Sequence, residues 1–201
     1  MTKKGQYTPA HVYTHADIKS IVEHARLRGI RVIPEFDSPG HVDAIGRTYP
    51  RTNNPFTTIF FTILNQNFVL KEFITVCWND NKPYQAIYSV QGEAEIFNPT
   101  LEGLYPMVRE VLNEIKQVFA DEYIHLGMDE VYYECWKSNP DIRKWMETMN
   151  FTDYHQLEGY YSKNVLNIVK DLKKKAVVWQ GTWFLMQKKS LIKRKLIVNL
   201  F

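Results

Sequence analysis

With 201 residues, 45% of them hydrophobic and 14% aromatic, the chain can bury one sizeable core, and nothing in its bulk composition suggests disorder. The net charge of +3 is local: Lys188, Lys189, Lys193, Arg194 and Lys195 are the only charges in the last 21 residues, and subtracting these five from +3 leaves −2. Charge therefore gives no support to a nucleic-acid or membrane-surface partner. No apolar run approaches the roughly 18 residues of a membrane span. The opening "MTKKGQYTPAHVY" lacks the apolar core of a secretory leader. Two cysteines, Cys77 and Cys135, are too few for a disulfide framework or a zinc site, and composition leaves their redox state open.

In chain order, Thr14 and Asp17 resemble a capping pair, Ile18, Ile21, Val22 and Ala25 recur at helical spacing, and Gly29 stands where a helix stops. A helix is predicted over 15–28. "IRVIPEF" (30–36) reads as a short buried strand, ended by the loop signal "DSPGH". After Thr100 a second helix carries Leu104, Val108, Val111, Leu112, Ile115, Val118 and Phe119 on one stripe, with Pro106 tolerable only near its first turn. It leads into "EYIHLG", a second strand. Asn139-Pro140-Asp141 opens a third helix. Asp153 opens a fourth, with Leu157, Tyr161, Ile168, Val169 and Leu172 on its apolar stripe. "AVVWQ" (176–180) is the third strand. Helices alternating with short apolar strands predict an α/β fold of parallel units.

In such folds chemistry sits beyond the C-terminal ends of the strands, which here carry "EFDSPGH", "GMDE" and "WQGTW". Each feature also has a plain structural reading. Asp129 and Glu130 could be a helix cap and a first-turn acid. His125 could be a satisfied core histidine, His41 an exposed loop residue, and Trp179 part of the core.

"RGIRVIPEFDSPGH", then "HLGMDEVYYECWKSNP", then "VVWQ", in that order and spacing, resemble the catalytic barrel of the β-N-acetylhexosaminidases, glycoside hydrolase family 20. The resemblance covers roughly 1–50 and 74–180. It implies an incomplete (β/α)8 TIM barrel, about three central β/α units of the family's catalytic domain. It also implies an exo-glycosidase that removes terminal β-linked N-acetylhexosamines by retaining, substrate-assisted catalysis. Glu130 would be the general acid and later the base, which calls for a raised pKa, and Asp129 would orient the acetamido group. Because strand residues alternate between faces, both acids can serve one sugar only if the backbone leaves strand geometry there. His41 would support the acid, Trp179 would wall the acetamido pocket, and Asp37 lies on the same rim.

The resemblance further implies a Cys77–Cys135 disulfide, and Asn150-Phe151-Thr152 is a glycosylation sequon. A lysosomal or secreted destination follows from the family, as do partners in the terminal sugars of glycans, glycolipids or chitooligosaccharides, and frequent dimerisation. No cofactor, metal, nucleic acid or membrane span is expected. Met128 replaces the second glycine of the family's H-x-G-G-D-E motif, either as a tolerated variant or as one that narrows the pocket.

Residues 1–180 are thus read as a partial catalytic domain, with 51–73 an atypical insertion and 181–201 a divergent basic and apolar tail. Both segments fit the family pattern poorly and are read as foreign to the fold, for example retained intron, against the alternative of a genuine insertion and tail. For function, the alternative is a truncated, catalytically incompetent fragment with a sugar-binding role or no independent role. A metal-dependent hydrolase using His41, His125, Asp129 and Glu130 is a weaker rival, since metal ligands must converge on one point.

Overall fold

The computed structural model describes residues 6–42, 45, 73–75, 77–79, 82–84 and 96–179. The expectations for 51–72, for Gln180 and for the tail 181–201 lie outside the described residues, whereas Phe73 is buried in the core. Along the chain run α1 (His15–Arg26), β1 (Glu35–Ser38), β2 (Cys77–Asn79), β3 (Lys82–Tyr84), α2 (Leu104–Val118), β4 (Tyr123–Gly127), α3 (Tyr133–Ser138), α4 (Pro140–Thr148), α5 (Tyr154–Asp171) and β5 (Lys175–Val177).

Local chemistry sets the helix starts. Thr14 Oγ1 accepts the Asp17 N–H at 3.1 Å while Asp17 accepts the Thr14 N–H at 2.8 Å, a reciprocal cap for α1. Asn139 Oδ1 takes the N–H groups of Asp141 and Ile142, with Pro140 occupying the first helical position of α4. Asp153 and Gln156 form a second reciprocal cap on α5. Gly29, at φ 71°, turns the chain out of α1.

β1, β4 and β5 form one parallel sheet with β4 in the middle. The fold is therefore α/β, as expected. β1 corrects the expected strand over 30–36: the ladder begins only at Glu35 and runs on through Asp37 and Ser38. Pro34 has no N–H to give a ladder and contributes only its carbonyl, which accepts the His125 N–H at 2.9 Å. Glu35 pairs with His125 and Ser38 with Gly127, so β1 spends three steps where β4 spends two. This irregularity falls at Phe36 and Asp37, and it re-aims the side chains there.

Along β4, Ile124 and Leu126 are buried while Tyr123 and His125 are half-buried, so alternate residues face the helices. Against the helix-facing side pack Leu104, Val108 and Leu112 of α2 and Tyr161, Val165 and Val169 of α5. Each of the leucine and valine side chains among them contributes roughly 1.5–3 kcal/mol by leaving water.

A smaller cluster gathers Ile96, Trp136, Ile142, Met146 and Leu157 around a Cys77–Cys135 disulfide. It holds α3, which no sequence signal announced. Its cap position, Tyr132, makes no side-chain capping bond, and the helix is fixed by the disulfide and by the Trp136 indole N–H donating to the Phe97 carbonyl at 2.9 Å. The antiparallel pair β2 and β3 was likewise not anticipated. Among the described residues no helix is long and apolar enough to cross a membrane.

Candidate active site

The three parallel strands end side by side, and the Trp179 N–H donates to the Gly127 carbonyl at 3.0 Å just past the ends of β5 and β4. From the last residue of β4 the backbone leaves strand geometry, as expected for side chains 129 and 130 to share a face: Gly127, Met128 and Glu130 have φ of 62°, 68° and 52°. The helix-cap reading of Asp129 and Glu130 is set aside, because α3 begins only at Tyr133.

Gly127 is needed for space as well as for conformation. A Cβ there would stand 1.8 Å from Asp37 Oδ1 and 2.4 Å from its Cγ. The other end of this contact is electrostatic. Burial above all, and then the charge of Asp129, push the Asp37 carboxyl above its usual range, while His41 and the Met128 N–H pull it back. Asp37, His41, Asp129 and the Gly127–Met128 turn are thus one neighbourhood.

His41 closes it from the β1 side. Its Nε2 lies 3.0 Å from Glu130 Oε2, the ring N–H donating to the carboxylate. His41 is itself held at φ 56°, and the preceding Gly40 lies on the acid pair, a Cβ there standing 3.6 Å from the Glu130 carbonyl. The Glu130 side chain is 72% exposed, so the burial asked of a general acid is not supplied by the described residues.

Met128 is fully buried within the main core, so its side chain points away from the rim and does not narrow a pocket there. A left-handed backbone costs a non-glycine residue about 1–2 kcal/mol, and burying a methionine returns more than that. Met128→Gly is therefore expected to destabilise the fold by about 2 kcal/mol in urea unfolding. A variant more stable than the parent would show that backbone strain outweighs the packing.

On the β5 side, Trp179 is 49% exposed, a surface residue and not part of the core. His125 meets its ring edge to face, with centroids 4.9 Å apart. His125 Nδ1 also lies 3.1 Å from the Gly127 N–H and 3.3 Å from Glu35 Oε1. The first contact needs a lone pair and the second a proton, so only one is a hydrogen bond at a time. His125 is thus a strut under Trp179. Sequence reasoning missed Glu35, whose place against His125 is set by the pairing of β1 with β4. Asn150 lies apart from these residues in sequence and fold, exposed at the turn between α4 and α5 with φ 55°.

The sequence profile of "Glycosyl hydrolase family 20, catalytic domain" matches residues 1–200. The beta-hexosaminidase subunit beta of Felis catus is 37% identical over 181 residues, 90% of this chain and 29% of that protein. The human subunit beta is 38% identical over 184 residues, 90% of this chain and 28% of that protein. The chain thus spans less than a third of the length of these relatives. Among solved structures, the exo beta-N-acetylglucosaminidase of Vibrio harveyi, determined in complex with N-acetylglucosamine, aligns with TM-score 0.62 at 27% identity, covering 94% of this chain and 26% of that one. The beta-N-acetylhexosaminidase of Bacteroides fragilis aligns with TM-score 0.62 at 26% identity, covering 91% and 32%. With its sequence profile, its relatives and its α/β backbone in agreement, the chain belongs to the catalytic domain of glycosyl hydrolase family 20.

Proposed function

We propose that the chain is the central part of a (β/α)8 catalytic barrel, and that the whole protein removes terminal non-reducing β-linked N-acetylglucosamine or N-acetylgalactosamine with retention of configuration. The observation that carries this reading is the 3.0 Å hydrogen bond between His41 and Glu130, made where two adjacent parallel strands end and with Asp129 next in the chain. That contact supports reading Glu130 as a carboxyl group held for proton transfer beyond the strand ends.

In this reading Glu130 delivers a proton to the glycosidic oxygen, and the substrate's own acetamido oxygen attacks the anomeric carbon. Asp129 holds the acetamido N–H and offsets the positive charge of the cyclic intermediate. Glu130 then takes a proton from the incoming water, and His41 keeps its carboxylate oriented through both steps. Trp179 offers an exposed aromatic face to the acetamido methyl. Asp37 clamps the Gly127–Met128 turn on which the pair is mounted. Glu130 becomes enclosed, as an acid must, once the remaining barrel strands and substrate cover it. The Cys77–Cys135 disulfide and the exposed Asn150 sequon support a lysosomal or secreted destination with a glycan at Asn150.

The test compares an aryl N-acetyl-β-glucosaminide with the matching aryl β-glucoside, using a polypeptide that carries the complete barrel beside this chain alone. Without the acetamido group the complete barrel is expected to work at less than about a hundredth of the rate. Equal rates on the two substrates would remove the substrate-assisted reading.

A further inference from the structure

Among the described residues Glu158 is the one charged side chain that the fold buries, at 4% exposure, and the chemistry above does not use it. Its carboxylate accepts the Tyr133 hydroxyl, and that hydroxyl lies 2.6 Å from His155 Nδ1. His155 Nδ1 is also 3.7 Å from the carboxylate. Tyr133 opens α3 three residues after Glu130, and its ring stacks on Trp136 with centroids 5.9 Å apart. The row of Nδ1, phenol oxygen and carboxylate oxygen therefore joins the segment that leaves the acid pair to the first turns of α5.

Two hydrogen bonds along that row need two protons. The phenol supplies one, and the second must come from Glu158 as a carboxylic acid or from a His155 Nδ1–H. A neutral histidine with an ionised Glu158 leaves a net negative charge on a side chain that is only 5% exposed, beside a His155 side chain that is 41% exposed. One further proton, on either residue, makes the cluster neutral.

We propose that Tyr133, His155 and Glu158 form a proton-holding latch that fixes the turn carrying Asp129 and Glu130, tight while the cluster is neutral and loosened when its proton is lost. Its consequence for catalysis rests on the hydrolase reading; the latch itself is a property of the fold. Glu158 is a positioning residue here, acting through Tyr133. Burial above all raises its carboxyl beyond the usual glutamate range, Asp153 adds to the rise, and Tyr133 and His155 oppose it. Glu134 and Lys137 of α3 and Arg143 of α4 face the neighbouring Tyr154. A carboxyl raised on folding stabilises the native state in full below its unfolded value, and that stabilisation fades as the pH climbs through the raised one.

Amide hydrogen exchange across residues 128–136, corrected for its intrinsic pH dependence, reads the latch on the full chain without turnover. The parent is expected to lose about tenfold in protection between about pH 5 and about pH 8, because both hydrogen bonds survive loss of the proton but the ionised carboxylate is solvated only when the segment opens. Glu158→Gln, which keeps an acceptor for Tyr133 and does not ionise, is expected to hold one protection level at both. Tyr133→Phe removes only the hydroxyl and covers the case in which Glu158→Gln fails to fold; it is expected to be less protected than the parent at the lower pH. A shared pH profile for the parent and Glu158→Gln, or parent-like protection in Tyr133→Phe, would overturn the latch. Glu130→Gln should keep the parent's exchange profile, so loss of the hydrolase reading and loss of the latch are separate outcomes.

Discussion

Glu130→Gln is expected to lower kcat on an aryl N-acetyl-β-glucosaminide by about 10²–10⁴-fold in the complete barrel, the range of general acid catalysis, with little change in KM. The amide keeps nearly the volume of the acid and still accepts a hydrogen bond from His41, so the geometry around the 3.0 Å contact survives. What is lost is the proton for the leaving oxygen. The deficit should therefore shrink as the phenol leaving group becomes more acidic, because a good leaving group departs without protonation. A purely structural role for Glu130 would give a loss independent of the leaving group, and unchanged activity would remove the acid assignment altogether. His41→Ala should reproduce part of the loss, since it leaves the proton in place and removes only its support.

The parts of the fold that could be read from sequence are those encoded over three or four residues. Thr14 with Asp17, Asn139 with Pro140, and Asp153 with Gln156 each mark a helix start, and each does so by satisfying backbone N–H groups within reach of one side chain. α3 was not legible because its hold is nonlocal: Cys135 reaches a partner 58 residues away. The strand expected over 30–36 lies at Glu35–Ser38 instead, because the apolar run before Pro34 carries strand propensity while the ladder is set by what β4 offers from Glu35 onward.

The same division holds at the site. Parity along a strand was enough to expect a backbone break at the acid pair, and the left-handed residues 128 and 130 supply it. That His41 bonds to Glu130, 89 residues on, came only from family resemblance, because no local pattern encodes a contact of that range. Tyr133 and Glu158 lie 25 residues apart on different helices, the first of which no sequence signal marks, so no local pattern pairs them.

Gly127→Ala is expected to be the most damaging single-methyl change in this neighbourhood, lowering stability by about 3 kcal/mol and disabling the site with it. Two costs add. A left-handed φ of 62° disfavours any side chain, and the added carbon would sit 1.8 Å from Asp37 Oδ1, with Cγ and Cβ of the same residue also too close, so the whole Asp37 side chain has to move. Asp37 is not a flexible surface group that can swing clear: burial is the leading cause of its raised pKa, and it accepts the Met128 N–H next to the methyl. Moving it releases Met128, and through Met128 the acid pair. A double-mutant cycle with Asp37→Gly separates the costs, because deleting that side chain removes the clash and leaves only the conformational strain. Gly127→Ala should then cost about 1 kcal/mol in the Asp37→Gly background and about 3 kcal/mol in the parent, a coupling of about 2 kcal/mol measured by urea unfolding. Equal costs in the two backgrounds would mean that Asp37 does not bear on Gly127, and that the tight seat joining β1 to the acid-bearing turn is not what fixes the pair.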